Sequence, residues 1–331
     1  MGKSALLAEY VRRNGCVAYF NVRSEGINRA EQFLESISIQ LIEQYELDYP
    51  SLPVYAKQDG RFLGQLLQEV AVKSSEPVVI AIDALDEVSF DSQSAGANVL
   101  YLPRHLPHGI YIVLTKRSDV QVPFYVEAPQ NVYDLMDENL VESNLQDIQA
   151  YIRHISHRDN IRHWIQSCEL TVEEFINQLT VKSEYNFMYL YYVLRDISVD
   201  KYQDLSIEKL PVGLEGYYED HWRRMGMLQT PLPRTKLKII YVLVEVSHPV
   251  SSFLISDITK ESKLTVQEVI DEWKQFLLEQ NIDKQKCYSV YHASFSDFLY
   301  RKDIVQAADV MVDDINALIA NDLWEGLYGN D

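Results

Sequence analysis

Five aliphatic residues, Val78-Val79-Ile80-Ala81-Ile82, run without interruption into Asp83-Ala84-Leu85-Asp86-Glu87. A strand buried on both faces of a parallel sheet reads as such a run, because neither of its sides meets water. The carboxyl ends of such strands are where open α/β sheets bind ligands. Three acids at that end therefore give the address of a metal-nucleotide site. The alternative is a buried strand followed by a solvated acidic turn.

Composition narrows the partners. Of 331 residues, 49 are acidic and 30 basic, a formal charge of −19, and such a surface repels phosphate backbones and anionic lipid heads. Neither nucleic acid nor a membrane is expected as a partner. The apolar share of 47% supports well-filled cores, and no aliphatic run approaches the ~20 residues a bilayer span requires. Cys16, Cys168 and Cys287 are too few and too scattered for a disulfide framework or a zinc cluster. A reducing cytoplasm is the expected compartment.

Around the acidic strand the pattern alternates. Val17 to Val22 and Ile110 to Thr115 also read as strands. Phe33, Leu34, Ile37, Leu41 and Tyr45 recur at helical spacing between Asn28 and Tyr45, and Asn28 with Glu31 resembles a capping box. A further helix is expected from about Phe62 to Val72, with Pro77 marking entry into the acidic strand. Alternating strands and helices give a parallel sheet covered by helices, an α/β domain over residues 1–140.

Beyond about Asn144 the pattern turns helical. Leu145, Ile148, Tyr151, Ile152 and Ile155 form one stripe, and Thr171 with Glu174 is a second capping signature. An all-α domain is expected over 141–233, closing at Pro231-Leu232-Pro233. A helix to Val246, another opening at Thr265 with Glu268, and a hairpin between Leu278 and Tyr291 then suggest a winged-helix domain over 234–305. Residues 306–331 remain as a helical segment or linker. Tyr189, Tyr191, Tyr192 and Leu194 read as core, as does the aromatic set Phe295, Phe298 and Tyr300.

The chain opens Met1-Gly2-Lys3-Ser4, the second half of a phosphate-binding loop. Backbone N–H groups at a helix N-terminus cradle phosphate, Lys3 reaches the β and γ phosphates, and the Ser4 hydroxyl binds Mg²⁺. Alone, the tripeptide also fits an ordinary exposed N-terminus. With the acidic strand 80 positions later it gains a partner: Asp83 holds Mg²⁺ through water, small Ala84 leaves room for phosphates, and Glu87 polarises the attacking water with Asp86 assisting. Arg117, at the end of the third strand, either senses the γ phosphate or forms a surface ion pair.

These residues, with Leu114 to Arg117, Asn186 to Leu190, Gly213 to Tyr218 and Tyr291 to Leu299, resemble the NACHT branch of the STAND signal-transduction NTPases, particularly the bacterial type often followed by WD repeats. The matching segments cover nearly the whole chain in order. The resemblance implies a P-loop NTPase-type parallel sheet, an all-α helical domain and a winged-helix domain, with ATP or ADP and Mg²⁺ as ligands. It further implies that His292 contacts the β phosphate of ADP and latches the resting form; on residue pattern alone, His292 also fits a buried histidine bridging hairpin and helix. The family's loop reads Gly-x-x-Gly-x-Gly-Lys-Ser after a hydrophobic strand, and only its last three residues stand here. The expectation is therefore an α/β sheet whose first strand is missing, in a chain that is a fragment or has a misassigned start.

Three functions follow as expectations. The leading one is a nucleotide-dependent switch with slow ATP hydrolysis, coupled to effector or sensor proteins. The second is a catalytically decayed scaffold that binds protein partners without turnover. A winged-helix transcription regulator is the third, and the −19 charge opposes it.

Overall fold

The computed structural model describes residues 2–328 apart from 92, 136, 200, 203–205, 247 and 308–311. The chain divides into two compact units, residues 2–134 and residues 135–246 with 250–331, each described by itself. Met1, and residues 308–311 and 329–331 of the segment expected over 306–331, lie outside the described residues.

In the first unit, helix α1 (Lys3–Asn14) leads into strand β1 (Val17–Phe20); α2 (Ala30–Gln44) and α3 (Arg61–Lys73) precede β2 (Val78–Asp83), and β3 (Ile110–Leu114) follows. The strands form one parallel sheet in the order β1-β2-β3, with Val17 opposite Ile80 and Val78 opposite Ile110. Parallel neighbours need a crossover, and α2 and α3 supply it between β1 and β2. The central position of β2 accounts for its unbroken apolar sequence: Val78, Ile80, Ala81 and Ile82 are all buried. Val17, Tyr19, Ile80, Ile82 and Ile110 share one core with Phe33, Leu34 and Ile37 of α2 and Leu66, Leu67 and Val70 of α3.

Two boundaries differ from expectation for the same reason. Strand β1 stops at Phe20 because Asn21 turns its side-chain amide onto the Asp83 carbonyl (2.6 Å), and Val22 pairs with Ile27 instead. Helix α2 starts at Ala30, and its reciprocal cap is Gln32, whose Oε1 accepts the N–H groups of Arg29 (3.0 Å) and Asn28 (3.1 Å). The Asn28 amide is engaged elsewhere, donating to the Glu87 carbonyl (2.8 Å), so the expected box of Asn28 with Glu31 does not form.

The second unit holds α4 (Val141–Ser156), α5 (Asp159–Ser167), α6 (Val172–Ser183), α7 (Phe187–Ser198), α8 (Gly213–Arg224) and α9 (Arg234–Val246). There follow β4 (Val250–Ser251), α10 (Ser252–Thr259), α11 (Lys263–Trp273), β5 (Leu277–Ile282) and β6 (Gln285–Val290), then α12 (Ala293–Leu299), α13 (Lys302–Ala307) and α14 (Val312–Tyr328). Thr171 and Glu174 form the capping box read from the sequence. Helix α11, however, opens two residues before Thr265, because Ser262 caps it by accepting the Thr265 N–H (3.1 Å).

β4, β6 and β5 make an antiparallel sheet in that order, and the expected hairpin turns at Asp283 and Lys284, both with positive φ. Two such residues give the turn whose twist matches that of paired strands.

An aromatic cluster binds this unit together. Tyr192 stacks on Tyr217 at 5.2 Å and Phe276 on Phe295 at 4.5 Å, with Tyr218, Trp222, Trp273 and Phe298 filling the gaps. Segments on both sides of Pro231-Leu232-Pro233 thus share one core. Phe295 and Phe298 are buried in it, as are Tyr189, Tyr192 and Leu194, whereas Tyr191 and Tyr300 face outward, contrary to expectation. Tyr191 sits on the solvent side of α7, whose opposite face is packed, and Tyr300 follows the last residue of α12. Among the described residues, no helix is long and apolar enough to cross a membrane.

Candidate functional site

Parallel pairing brings the ends of β2 and β3 side by side. Asp83 closes β2 and is 3% exposed. Thr115, one residue past β3, donates its hydroxyl to Asp83 Oδ1 (2.5 Å) and accepts the Ala84 N–H (2.9 Å). That bond fixes the orientation of the buried carboxyl group. Ala84 sits in the left-handed region (φ 50°, ψ 57°), which disfavours larger side chains. Its small size therefore serves the turn itself.

That turn spreads the next two acids apart. Asp86 Oδ1 accepts the Arg117 N–H (2.9 Å), and Glu87 Oε2 accepts the Arg23 N–H (2.9 Å). Burial pushes the Glu87 carboxyl above its ordinary value; the Arg23 N–H opposes this, and the charges of Asp86 and Asp83 reinforce it. A carboxyl raised in this way moves toward the range in which it can accept a proton near neutrality.

The Arg117 guanidinium lies on Asp119 (3.1 and 2.6 Å), the strand-end ion pair that the sequence left open. It holds the Asp119 carboxyl below its usual value, and Lys3 adds a smaller effect in the same direction. Lys3 and Arg117 therefore act on one carboxylate.

Lys3 and Ser4 begin α1. Gly2 precedes them at φ 90°, a conformation natural to glycine, and its carbonyl accepts the Leu6 N–H (2.9 Å). No side chain caps this end, and its first turn carries no acid. The positive end of the helix dipole and its unpaired N–H groups thus favour an anion. Among the described residues, no three His, Cys, Asp or Glu side chains converge on a metal position. Asp83 and the Ser4 hydroxyl are hard-oxygen donors of the kind Mg²⁺ takes alongside phosphates.

His292 belongs to the second unit, at the junction of β6 and α12, where it is the N-cap of α12 and its Nδ1 accepts the Ser294 N–H (3.2 Å). Sequence reasoning missed Thr115, Asn21, Asn28 and Arg23 as shapers of the acidic edge. Asn21 donates to the Asp83 carbonyl and leaves its own Oδ1 buried without a hydrogen-bond partner. Only Thr115 carried a signal, a hydroxyl just past a strand neighbouring an acid-ended one. Comparison with protein-family models found no match, and comparison with curated proteins found none either.

Proposed function

We propose that this chain is an ATP- and ADP-binding module of the STAND NTPase type, a nucleotide-dependent switch with slow hydrolysis. The observation that carries the reading is the buried Asp83, oriented by Thr115 at the carboxyl edge of a parallel sheet, beside a Glu87 carboxyl raised by burial. The uncapped start of α1 at Lys3 and Ser4 supports an anion site.

In this reading Gly2, Lys3 and Ser4 hold the phosphates, and Ser4 with Asp83 holds Mg²⁺. A bound Mg²⁺ supplies neutralisation of phosphate charge. Glu87 takes the proton of the attacking water with Asp86 keeping the turn in shape, and Arg117 exchanges Asp119 for the γ phosphate. The three-stranded parallel sheet supports a P-loop NTPase-type domain. The β4-β6-β5 sheet with α9, α10 and α11 supports a winged-helix domain. Effector or sensor proteins are the expected partners, in a cytoplasmic setting.

Calorimetry with ADP, and with ATP plus Mg²⁺, tests the proposal. Binding should weaken at least tenfold in Lys3→Ala and in Asp83→Asn. A wild-type chain that binds neither nucleotide, or a Lys3→Ala variant that binds as well as wild type, would sink it.

A second reading, a decayed scaffold without turnover, is favoured by one observation: Asp83, Asp86 and Glu87 all have partners that shape the backbone. Phosphate release decides between the two. Loss on Glu87→Gln supports the switch, and equal residual release from both proteins supports the scaffold.

A further inference from the structure

We propose that the outer edge of β3 takes a further strand from a partner protein, an extended segment with apolar residues at alternate positions and acids at both ends. The inference concerns the first unit alone and does not depend on nucleotide binding.

The edge is open by hydrogen-bond accounting. Val78 N–H donates to the Gly109 carbonyl (2.8 Å) and Thr115 N–H to the Ile82 carbonyl (3.0 Å), so Gly109 and Thr115 turn backbone groups to β2, and Tyr111 and Val113 between them do the same. The register agrees, with Ile80 opposite Ile112 and Ile82 opposite Leu114. The N–H groups of Ile112 and Leu114 therefore point away from β2. Among the described residues, β3 pairs with no other strand. Such an edge is normally blunted by a charge, a proline or a bulge. Ile110-Tyr111-Ile112-Val113-Leu114 holds no charge and no proline, and its register with β2 is unbroken. It is a template for strand addition.

Both faces of the edge leave apolar surface for a neighbour. Ile112 and Leu114 pack against the core but are only partly buried, whereas Ile80 and Ile110 are buried. On the other face, Tyr111 is 55% exposed and Val113 40%. A strand with an apolar residue at every second position would cover Ile112 and Leu114 by cross-strand contact.

Charge selects the partner. Asp91 and Asp119 bound the longest interval without an acidic residue in a chain of 49 acids, and Arg104, Lys116 and Arg117 lie inside it. The Lys116 ammonium, two residues past β3, donates to the carbonyls of Arg117 (3.2 Å) and Val120 (3.3 Å) and, among the described residues, meets no carboxylate. A second copy meeting this edge with its own would set the same bases against each other. Acids flanking an incoming strand are attracted instead.

The test titrates the full chain into a fluorescein-labelled peptide of alternating valine and threonine, bracketed by glutamate pairs, with anisotropy read at low salt. Affinity should fall about tenfold or more when the glutamates are replaced by lysines, and by a similar factor when the central peptide N–H groups are methylated. Ile112→Pro removes an N–H that β2 does not use, and should also weaken binding about tenfold. Lys116→Glu, which leaves the strand itself intact, should weaken it about threefold or more and guards against misfolding of the proline variant. Amide-resolved hydrogen exchange locates the contact: Ile112 and Leu114 should slow about tenfold or more when the peptide is added.

No binding of the glutamate-flanked peptide, equal affinity for the lysine-flanked one, or binding that leaves exchange at Ile112 and Leu114 unchanged overturns the proposal. Sedimentation of the chain alone supplies the last outcome. A dimer in which both amides are already slow would make the occupant a second copy, and overturns it as well.

Discussion

Acid should unfold the second unit through one histidine. His221 of α8 is 3% exposed and packs edge-on against Trp273 and Phe276. Lys201 donates to Gln275 Oε1 (2.9 Å), so the other end of that amide is the donor facing His221 Nδ1 (2.7 Å). The proton therefore sits on Nε2, which is buried without a hydrogen-bond partner. A second proton would have to enter at Nδ1 against an N–H donor. Burial, with lesser contributions from the charges of Arg224 and Lys201, pushes the imidazole down from 6.5 to about 3.

The folded value lies below the unfolded one, so the unfolded chain binds the extra proton first. The stability tied to neutral His221 is fully present above about pH 6.5 and is lost as pH falls toward 3. At pH 4.5, two units below 6.5, the loss is about 3 kcal/mol, at roughly 1.4 kcal/mol per unit. That figure changes little if the folded value is 2 or 4. All four tryptophans, Trp164, Trp222, Trp273 and Trp324, fall in the second unit, so tryptophan fluorescence during urea unfolding follows this unit alone. His221→Phe keeps a ring in the cluster, and leaves the Gln275 amide unpaired at a cost of about 1–3 kcal/mol that does not depend on pH. Between pH 8 and 4.5 wild type should lose about 3 kcal/mol more than the variant. Parallel curves for the two proteins would refute the reasoning.

Three further outcomes are expected. Thr115→Val strips Asp83 of its donor in a buried place, and should cost the first unit about 1–3 kcal/mol, read by far-ultraviolet dichroism in urea. Tyr217→Phe removes the hydroxyl that donates to Asp196 Oδ2 (2.7 Å); with Asp196 1% exposed, tryptophan fluorescence should report a loss of about 1.5–3 kcal/mol. Gly213→Ala places a Cβ at φ 67° against the Glu184 carboxylate, and the same fluorescence should report a loss of more than about 1 kcal/mol.

What the sequence made legible follows from how local each determinant is. The apolar run of β2 is readable because burial on both faces suppresses alternation, and the β5-β6 hairpin because alternation and turn fall within a short stretch. Asn28 misleads because its amide serves a carbonyl 59 residues away, and capping rules see only the next turn. Tyr191 misleads because in a run of aromatic residues one must occupy the outer face of α7.

The acidic edge divides along the same line. Asp83 could be found from its own segment. The partner that orients it could not, because Thr115 reaches Asp83 only through the β2-β3 register, which sets Ile82 opposite Leu114. Side chains alternate along a strand, so a slip of one residue would turn Thr115 to the opposite face and leave Asp83 buried without its donor. The alternative register would thus be penalised at a polar group as well as in the core, where Ile110 would also change faces. The Thr115–Asp83 bond therefore acts on the pairing of β2 with β3 as well as on the site, and Thr115→Val tests both together.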